Sequence, residues 1–259
     1  MEKTTLILLS DYGIGDPAFT EVLLHFRKLL PGIFTHSQST PAFSTISTGF
    51  WLAQFALGDH PDTYIFSNTA PRKEDKKAQT NNNGEKLMYV ELANGFELMA
   101  INAGYNLSFI KKYIKDFFFV KTANEGSQFR SRDIYPLAVA KMIRGEKGFR
   151  GEKADPSRIP DIPSSVIASI DGYGNIKTTI HNSETQYTPG QKLSVSIGGK
   201  TQVAIYTDGV FNIHEGELAF APGSSGHKDR FMELFVRGGS AAKFFSDPSL
   251  ETNITISEG

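Results

Sequence analysis

Leu6-Ile7-Leu8-Leu9-Ser10-Asp11-Tyr12-Gly13-Ile14-Gly15-Asp16-Pro17 is the stretch that decides the fold. Its apolar opening, Leu6 to Leu9, lies between polar flanks, the pattern of a strand buried on both faces of a parallel or mixed sheet. A glycine-containing turn follows. Residues 18–30 then show helical spacing, with Phe19, Val22, Leu23, Phe26 and Leu30 apolar. Strand, glycine turn and helix in succession predict an α/β fold, in which ligands gather at the carboxyl ends of strands. Asp11 stands at such an end.

Downstream, the pattern predicts helices over 45–57, 107–117 and 135–144 and strands over 63–66, 86–92 and 96–101. Asn94-Gly95 marks a hairpin between the last two strands. Residues 71–85 are polar, with three lysines and three consecutive asparagines, and read as an exposed loop. Charges, glycines and three prolines between 145 and 165 mark a domain boundary. Beyond it, short apolar segments at 166–170, 176–180, 192–197, 201–206, 217–220, 231–236 and 253–256 alternate with turns, as in a small β-barrel. The expected architecture is therefore an α/β/α domain with a mixed, largely parallel sheet over 1–150, a linker over 151–165 and a β-barrel domain over 166–259.

The chain has 259 residues, 39% of them hydrophobic, which is enough for one large or two modest cores. Lys and Arg number 27 against 28 Asp and Glu, so no global field gathers nucleic acid or an anionic membrane. Neither partner is expected. Cysteine is absent, which removes disulfides, thiolate nucleophiles and sulfur-ligated metals. The six histidines have no metal-ligand spacing, so neither metal nor cofactor is expected. The apolar run near the start is too short for a signal core and no other reaches membrane-spanning length, so a cytoplasmic protein is expected.

Three segments carry polar chemistry. Asp11 could receive two vicinal ribose hydroxyls or cap the following helix, and Asp16, beside Pro17, reads first as a helix start and second as a ligand residue. Gln128-Phe129-Arg130-Ser131-Arg132-Asp133 precedes a helix; Asp133 reads as its cap, or Ser131 and neighbouring N–H groups as an anion cradle. Asp171-Gly172-Tyr173-Gly174-Asn175 is a tight hairpin or a two-sided grip on a polar ligand. No nucleophile elbow, phosphate loop or dinucleotide glycine fingerprint occurs.

Taken in order, these segments resemble the S-adenosyl-L-methionine hydroxide adenosyltransferases, relatives of the fluorinase and chlorinase enzymes. Leu8-Leu9-Ser10-Asp11-Tyr12-Gly13 is similar to the family's hydrophobic-(S/T)-D-(F/L)-G. Phe129-Arg130-Ser131-Arg132-Asp133-Ile134 is similar to its F-H-G-R-D-(I/L), or F-Y-S-R-E in the fluorinase. Ile170 to Asn175 resembles I-D-x-F-G-N, and Met232 to Ala242 resembles L-E-I-A-V-N-x-G-S-A. The resemblance implies an α/β domain, a β-barrel domain and a homotrimer with ligand sites between subunits. It also implies cleavage of S-adenosyl-L-methionine to adenosine and methionine by attack at the ribose 5′ carbon. By position Asp11 would hold the ribose hydroxyls, Asp171 the methionine amino group, Asn175 the adenine and Ser224 the methionine carboxylate, with Phe43 as an aromatic wall.

The departures concern water activation. Family hydrolases carry a D-P-G-V-G-T-x-R segment; here Ala70 stands at the aspartate position and Lys77 near the arginine, while Arg130 stands at the histidine of F-H-G-R-D. Loss of a general base costs about 10²–10⁴-fold. Ser131, at the position of the fluorinase serine that holds halide, keeps delivery of another anion open, with Arg130 and Lys77 as added cations. The alternative is a degenerate member that binds an adenosyl compound without turning it over.

Overall fold

The computed structural model describes residues 4–71, 84–123, 127–209 and 212–259. The chain divides into two compact units, Met1–Asp161 and Ile162–Gly259. The division falls inside the segment that composition marks as a boundary, after rather than before a further strand.

The first unit is built on a seven-stranded mixed sheet. Its strands are β1 (Thr5–Ser10), β2 (Phe34–Ser39), β3 (Thr63–Asn68), β4 (Lys86–Leu92), β5 (Glu97–Asn102), β6 (Ile114–Val120) and β7 (Arg150–Lys153), in the order β2-β1-β3-β5-β4-β6-β7. The β2-β1, β1-β3 and β3-β5 pairings are parallel; β5-β4, β4-β6 and β6-β7 are antiparallel. The sheet is thus parallel in one half only, a correction to the largely parallel expectation. The Asn94-Gly95 hairpin is the reason: it returns β5 alongside β4, with Gly95 at φ 85° and Asn94 Oδ1 accepting from Phe96 N at 3.1 Å.

Two crossovers serve the parallel half. Helix α1 (Pro17–Leu29) links β1 to β2 and α2 (Thr45–Ala56) links β2 to β3. Asp16 caps α1 by accepting from Ala18 N at 2.8 Å, Pro17 occupies its first turn, and Arg27 and Lys28 lie in its last turn. Ser44 caps α2, accepting from Ser47 N at 3.2 Å. Phe19, Val22 and Phe26 of α1 pack with Leu6, Leu8 and Phe66 and with Val139 of α4 (Tyr135–Ile143), while α2 packs against β1 and β3. Leu6, Leu8 and Leu9 are fully buried, as their unbroken apolar run requires, and each such burial stabilises by about 1.5–3 kcal/mol.

Two segments differ from expectation. Residues 107–117 form a short 3₁₀ helix, Ser108–Tyr113, followed by β6, not an α-helix. The run Phe117-Phe118-Phe119-Val120 favours a strand, and β6 pairs with β4 through Tyr89 opposite Phe118. Residues 150–153, placed largely in the linker, form edge strand β7, whose Phe118–Lys153 and Val120–Arg150 pairings bind it to the first unit. Four polar or glycine residues at an edge leave no apolar alternation to read.

The second unit is a seven-stranded sheet in the order β14-β10-β11-β12-β13-β9-β8. Its strands are β8 (Ile167–Ile170), β9 (Ile176–His181), β10 (Lys192–Ile197), β11 (Lys200–Tyr206), β12 (Leu218–Pro222), β13 (Phe231–Val236) and β14 (Ile254–Glu258), with a short helix, α5 (Ala241–Phe244), after β13. A bridge from Val166 to Asn253 ties the residues just before the two outermost strands, giving a half-barrel. Leu193, Val195, Phe220, Met232 and Leu234 fill its core.

Candidate functional site

In the first unit, five of the residues singled out from the sequence share one cavity of about 510 Å³: Asp11, Asp16, Phe43, Arg130 and Ser131. Ala70 is also in its wall. The cavity lies at the carboxyl ends of the parallel strands, with Asp11 after β1, Phe43 after β2 and Asn68 closing β3. The chain leaves β1 toward β2 on one side and returns to β3 on the other, so the cavity sits at the topological switch point.

Asp11 does not cap α1, a task that falls to Asp16. Asp11 Oδ2 instead accepts from the backbone N–H of Phe43 at 2.8 Å. Phe43 has φ 60°, a left-handed conformation that costs a non-glycine residue about 1–3 kcal/mol, and the residue is 57% exposed. The carboxylate thus holds an aromatic ring out at the cavity against the backbone's own preference.

Another part of the wall comes from α3 (Arg130–Asp133) and the residues before it. Ser131 is buried, and its Oγ accepts from the Tyr12 hydroxyl at 2.6 Å; the same hydroxyl accepts from Asn68 Nδ2 at 3.2 Å. Burial pushes the Tyr12 phenol up to about 12, so near neutral pH it keeps its proton and acts as a donor. Arg130 lies 5.1 Å from the Tyr135 ring centroid, close enough for a cation–π contact, and its Nη2 donates to Thr122 Oγ1 at 3.4 Å. Asp133 does not cap α4. It accepts from Arg132 Nε at 2.6 Å and from Ser127 Oγ, and these partners, Arg132 foremost, lower its carboxyl to about 2. Arg132 also reaches Glu21 of α1 at 2.5 Å, which fastens α3 to that helix.

Ala70 follows Thr69, whose carbonyl accepts from Asn106 Nδ2 at 2.8 Å and whose hydroxyl meets that of Thr48 at 2.9 Å. The cavity wall at residue 70 is therefore a methyl group on a well-anchored strand end. Lys77 lies outside the described residues. Tyr12, Asn68 and the buried Glu85, all in the wall, were not singled out from the sequence. Tyr12 had a signal, a phenol between a strand-end aspartate and a glycine; Asn68 and Glu85 had none.

In the second unit Asn175 and Ser224 share a second, shallow cavity of about 930 Å³ with Tyr173, Arg230, Glu233 and Lys243. Asp171 is not in its wall. Both Asp171 oxygens serve the hairpin: Oδ1 accepts from Tyr173 N at 2.9 Å and Asn175 N at 3.0 Å, and Oδ2 accepts from Asn175 Nδ2 at 3.0 Å. The turn therefore uses its aspartate to orient its asparagine. Gly174, at φ 82°, lies so close to Ser240 that a Cβ would collide with it, and its carbonyl accepts from Ala242 N at 2.9 Å. The Asp171–Asn175 and Gly238–Ala242 segments, far apart in sequence, are thereby packed together. Beneath them Lys177 Nζ lies 3.0 Å from Glu233 and 3.8 Å from Asp171, a buried pair between β9 and β13. Its sequence signal is one acid in the otherwise apolar β13 and one lysine next to Ile176 in β9.

Among the described residues no group of three or more His, Asp or Glu side chains could hold a metal ion, and no helix is long and apolar enough to cross a membrane. Fold and cavities define a mixed α/β protein with a small-molecule-sized cavity in each of its two units. No protein-family model matches the chain, and no curated protein matches it. Among solved structures, an uncharacterized conserved protein from Thermotoga maritima is 17% identical with a TM-score of 0.80, the match covering 97% of this chain and 100% of that one. A conserved hypothetical protein from Thermus thermophilus is also 17% identical, with a TM-score of 0.70 over 98% of this chain and 100% of the other. At that identity the likeness concerns the fold alone.

Proposed function

We propose that the protein binds an adenosyl ligand of the S-adenosyl-L-methionine type, with the ribose and 5′ carbon in the first-unit cavity. The observation that carries this reading is the Asp11–Phe43 pair. A carboxylate suited to vicinal hydroxyls and an exposed aromatic ring suited to a nucleoside face are fixed to each other at the switch point of the sheet. The four sequence blocks shared with the adenosyltransferases support the same ligand and the same pairing of an α/β domain with a β-barrel domain. Asn175 and Ser224, on the second-unit cavity, would take the adenine and the methionine carboxylate. Asp171 would contribute its charge and the turn that presents Asn175. The family resemblance assigns that second cavity to a neighbouring copy in a homotrimer, for which light scattering after size exclusion should give three times the chain mass.

The reaction of such a site is attack on C5′ by water, which gives up a proton to solvent, or by an anion, with the carbon–sulfur electrons leaving on methionine. The sulfonium is already a good leaving group, so the protein's part is to align and desolvate the nucleophile. Ala70 presents a methyl group where the hydrolases carry an aspartate, which favours a second reading, binding with little or no turnover. Incubation with S-adenosyl-L-methionine followed by chromatography separates the two. Adenosine release abolished by Asp11→Ala establishes cleavage; saturable binding without release establishes the binding protein.

A further inference from the structure

We propose that Tyr12 is a positioning residue that turns the Ser131 hydroxyl into an obligatory hydrogen-bond donor toward the first cavity, making that point selective for a ligand atom that accepts. The inference rests on the adenosyl reading only for the choice of probe. Its basis is the polarity of one chain of hydrogen bonds. Asn68 Nδ2 can only donate, and it donates to the Tyr12 oxygen at 3.2 Å. The phenol, far more acidic than an aliphatic alcohol, donates in turn to Ser131 Oγ at 2.6 Å. Ser131 Oγ has thus accepted a hydrogen bond, and among the described residues no protein acceptor takes its own proton. That proton is left for the cavity whose wall Ser131 forms.

Each member is held in place by something other than the chain itself. Asn68 ends β3, and its carbonyl accepts from Ser10 Oγ at 2.6 Å. The Tyr12 ring is wedged edge-on between Phe19 at 5.1 Å and Phe129 at 5.9 Å. Ser131 is in the single turn of α3, 5% exposed. Successive donors polarise one another, so the terminal hydroxyl is a stronger donor than a lone serine. Arg130 beside it adds positive charge of the same preference. A seated atom must therefore offer a lone pair, and a water placed there is held through its oxygen with its protons directed away from Ser131.

The test compares Tyr12→Phe, Ser131→Ala, the double variant and Asn68→Asp with the wild type. In the ligand-free protein, NMR should show a hydroxyl proton protected from exchange, with a nuclear Overhauser contact from the Tyr12 ring to the Ser131 β-protons, and Tyr12→Phe should abolish it. Calorimetry with S-adenosyl-L-methionine should show affinity falling about fivefold to tenfold in Tyr12→Phe and in Ser131→Ala, with no further loss in the double variant. Asn68→Asp supplies an acceptor in place of a donor, reverses the chain, and should lose as much with Tyr12 and Ser131 both intact. A merely structural Tyr12 would give additive losses and no response to reversal, which overturns the proposal. So does the absence of the protected hydroxyl. If the wild type binds no S-adenosyl-L-methionine, the ligand reading fails; bromide titration by NMR then decides the proposal, with Ser131 shifts in the wild type supporting it and their absence, or their persistence in Tyr12→Phe, rejecting it.

Discussion

At the residue scale the two aspartates of the opening turn divide the roles open to them. Asp16 does the capping that either could do, and Asp11 ties Phe43 to the cavity instead. Asp16→Ala should cost about 1 kcal/mol of stability in urea denaturation, the usual worth of a lost cap, while affinity for S-adenosyl-L-methionine stays unchanged. A fall in affinity without a fall in stability would make Asp16 a ligand residue. Asp133 carries a pH signature. Its carboxyl is held at about 2, chiefly by Arg132 and then by Ser127, below the ordinary value of 3.8. A depressed carboxyl stabilises the folded state above its unfolded value and loses that contribution as pH falls toward the folded one. The difference in melting temperature between wild type and Asp133→Asn should therefore be full above about pH 4 and vanish below about pH 2.

At the scale of elements, what could be read from the sequence followed apolar pattern. Leu6–Leu9, the α1 spacing and every strand of the second unit announce themselves because each buries a face. Three strands of the first unit escape that reading for identifiable reasons. β2, Phe34-Thr35-His36-Ser37-Gln38-Ser39, is a polar edge strand whose parallel pairing to β1 comes from the crossover alone. β7 is an edge strand too, and β6 hides in a segment whose Ile110 and Tyr113 spacing imitates a helix. The candidate site was legible where a residue's type is its chemistry, as at Asp11, Ser131 and Asn175. Asp171 shows the limit, since an aspartate at the start of a glycine turn serves the backbone or a ligand with the same sequence. The Asp171–Asn175 turn also depends on contact with the residues before α5, which only the fold reveals. Gly174→Ala should destabilise by more than about 1 kcal/mol, because it adds both backbone strain and a collision with Ser240. A midpoint in guanidinium equal to that of the wild type would show that the contact at Ser240 yields.

At the scale of the whole molecule, the chain divides into two compact units, each with a cavity, at Asp161–Ile162 within a proline-containing stretch. Each unit places residues from distant parts of its own sequence around its cavity: Asp11, Phe43 and Ser131 in the first, Asn175, Ser224 and Glu233 in the second. Such gathering is what a binding role requires, and it leaves chemistry to the few side chains in the wall. The central claim is that the first of these cavities receives an adenosyl group through Asp11. Titration calorimetry with S-adenosyl-L-methionine tests it most directly: the account predicts saturable binding, one ligand per chain, weakened at least about tenfold by Asp11→Ala as a hydrogen-bonded charge is lost. No saturable heat from the folded wild-type protein, or equal affinity in Asp11→Ala, would contradict it.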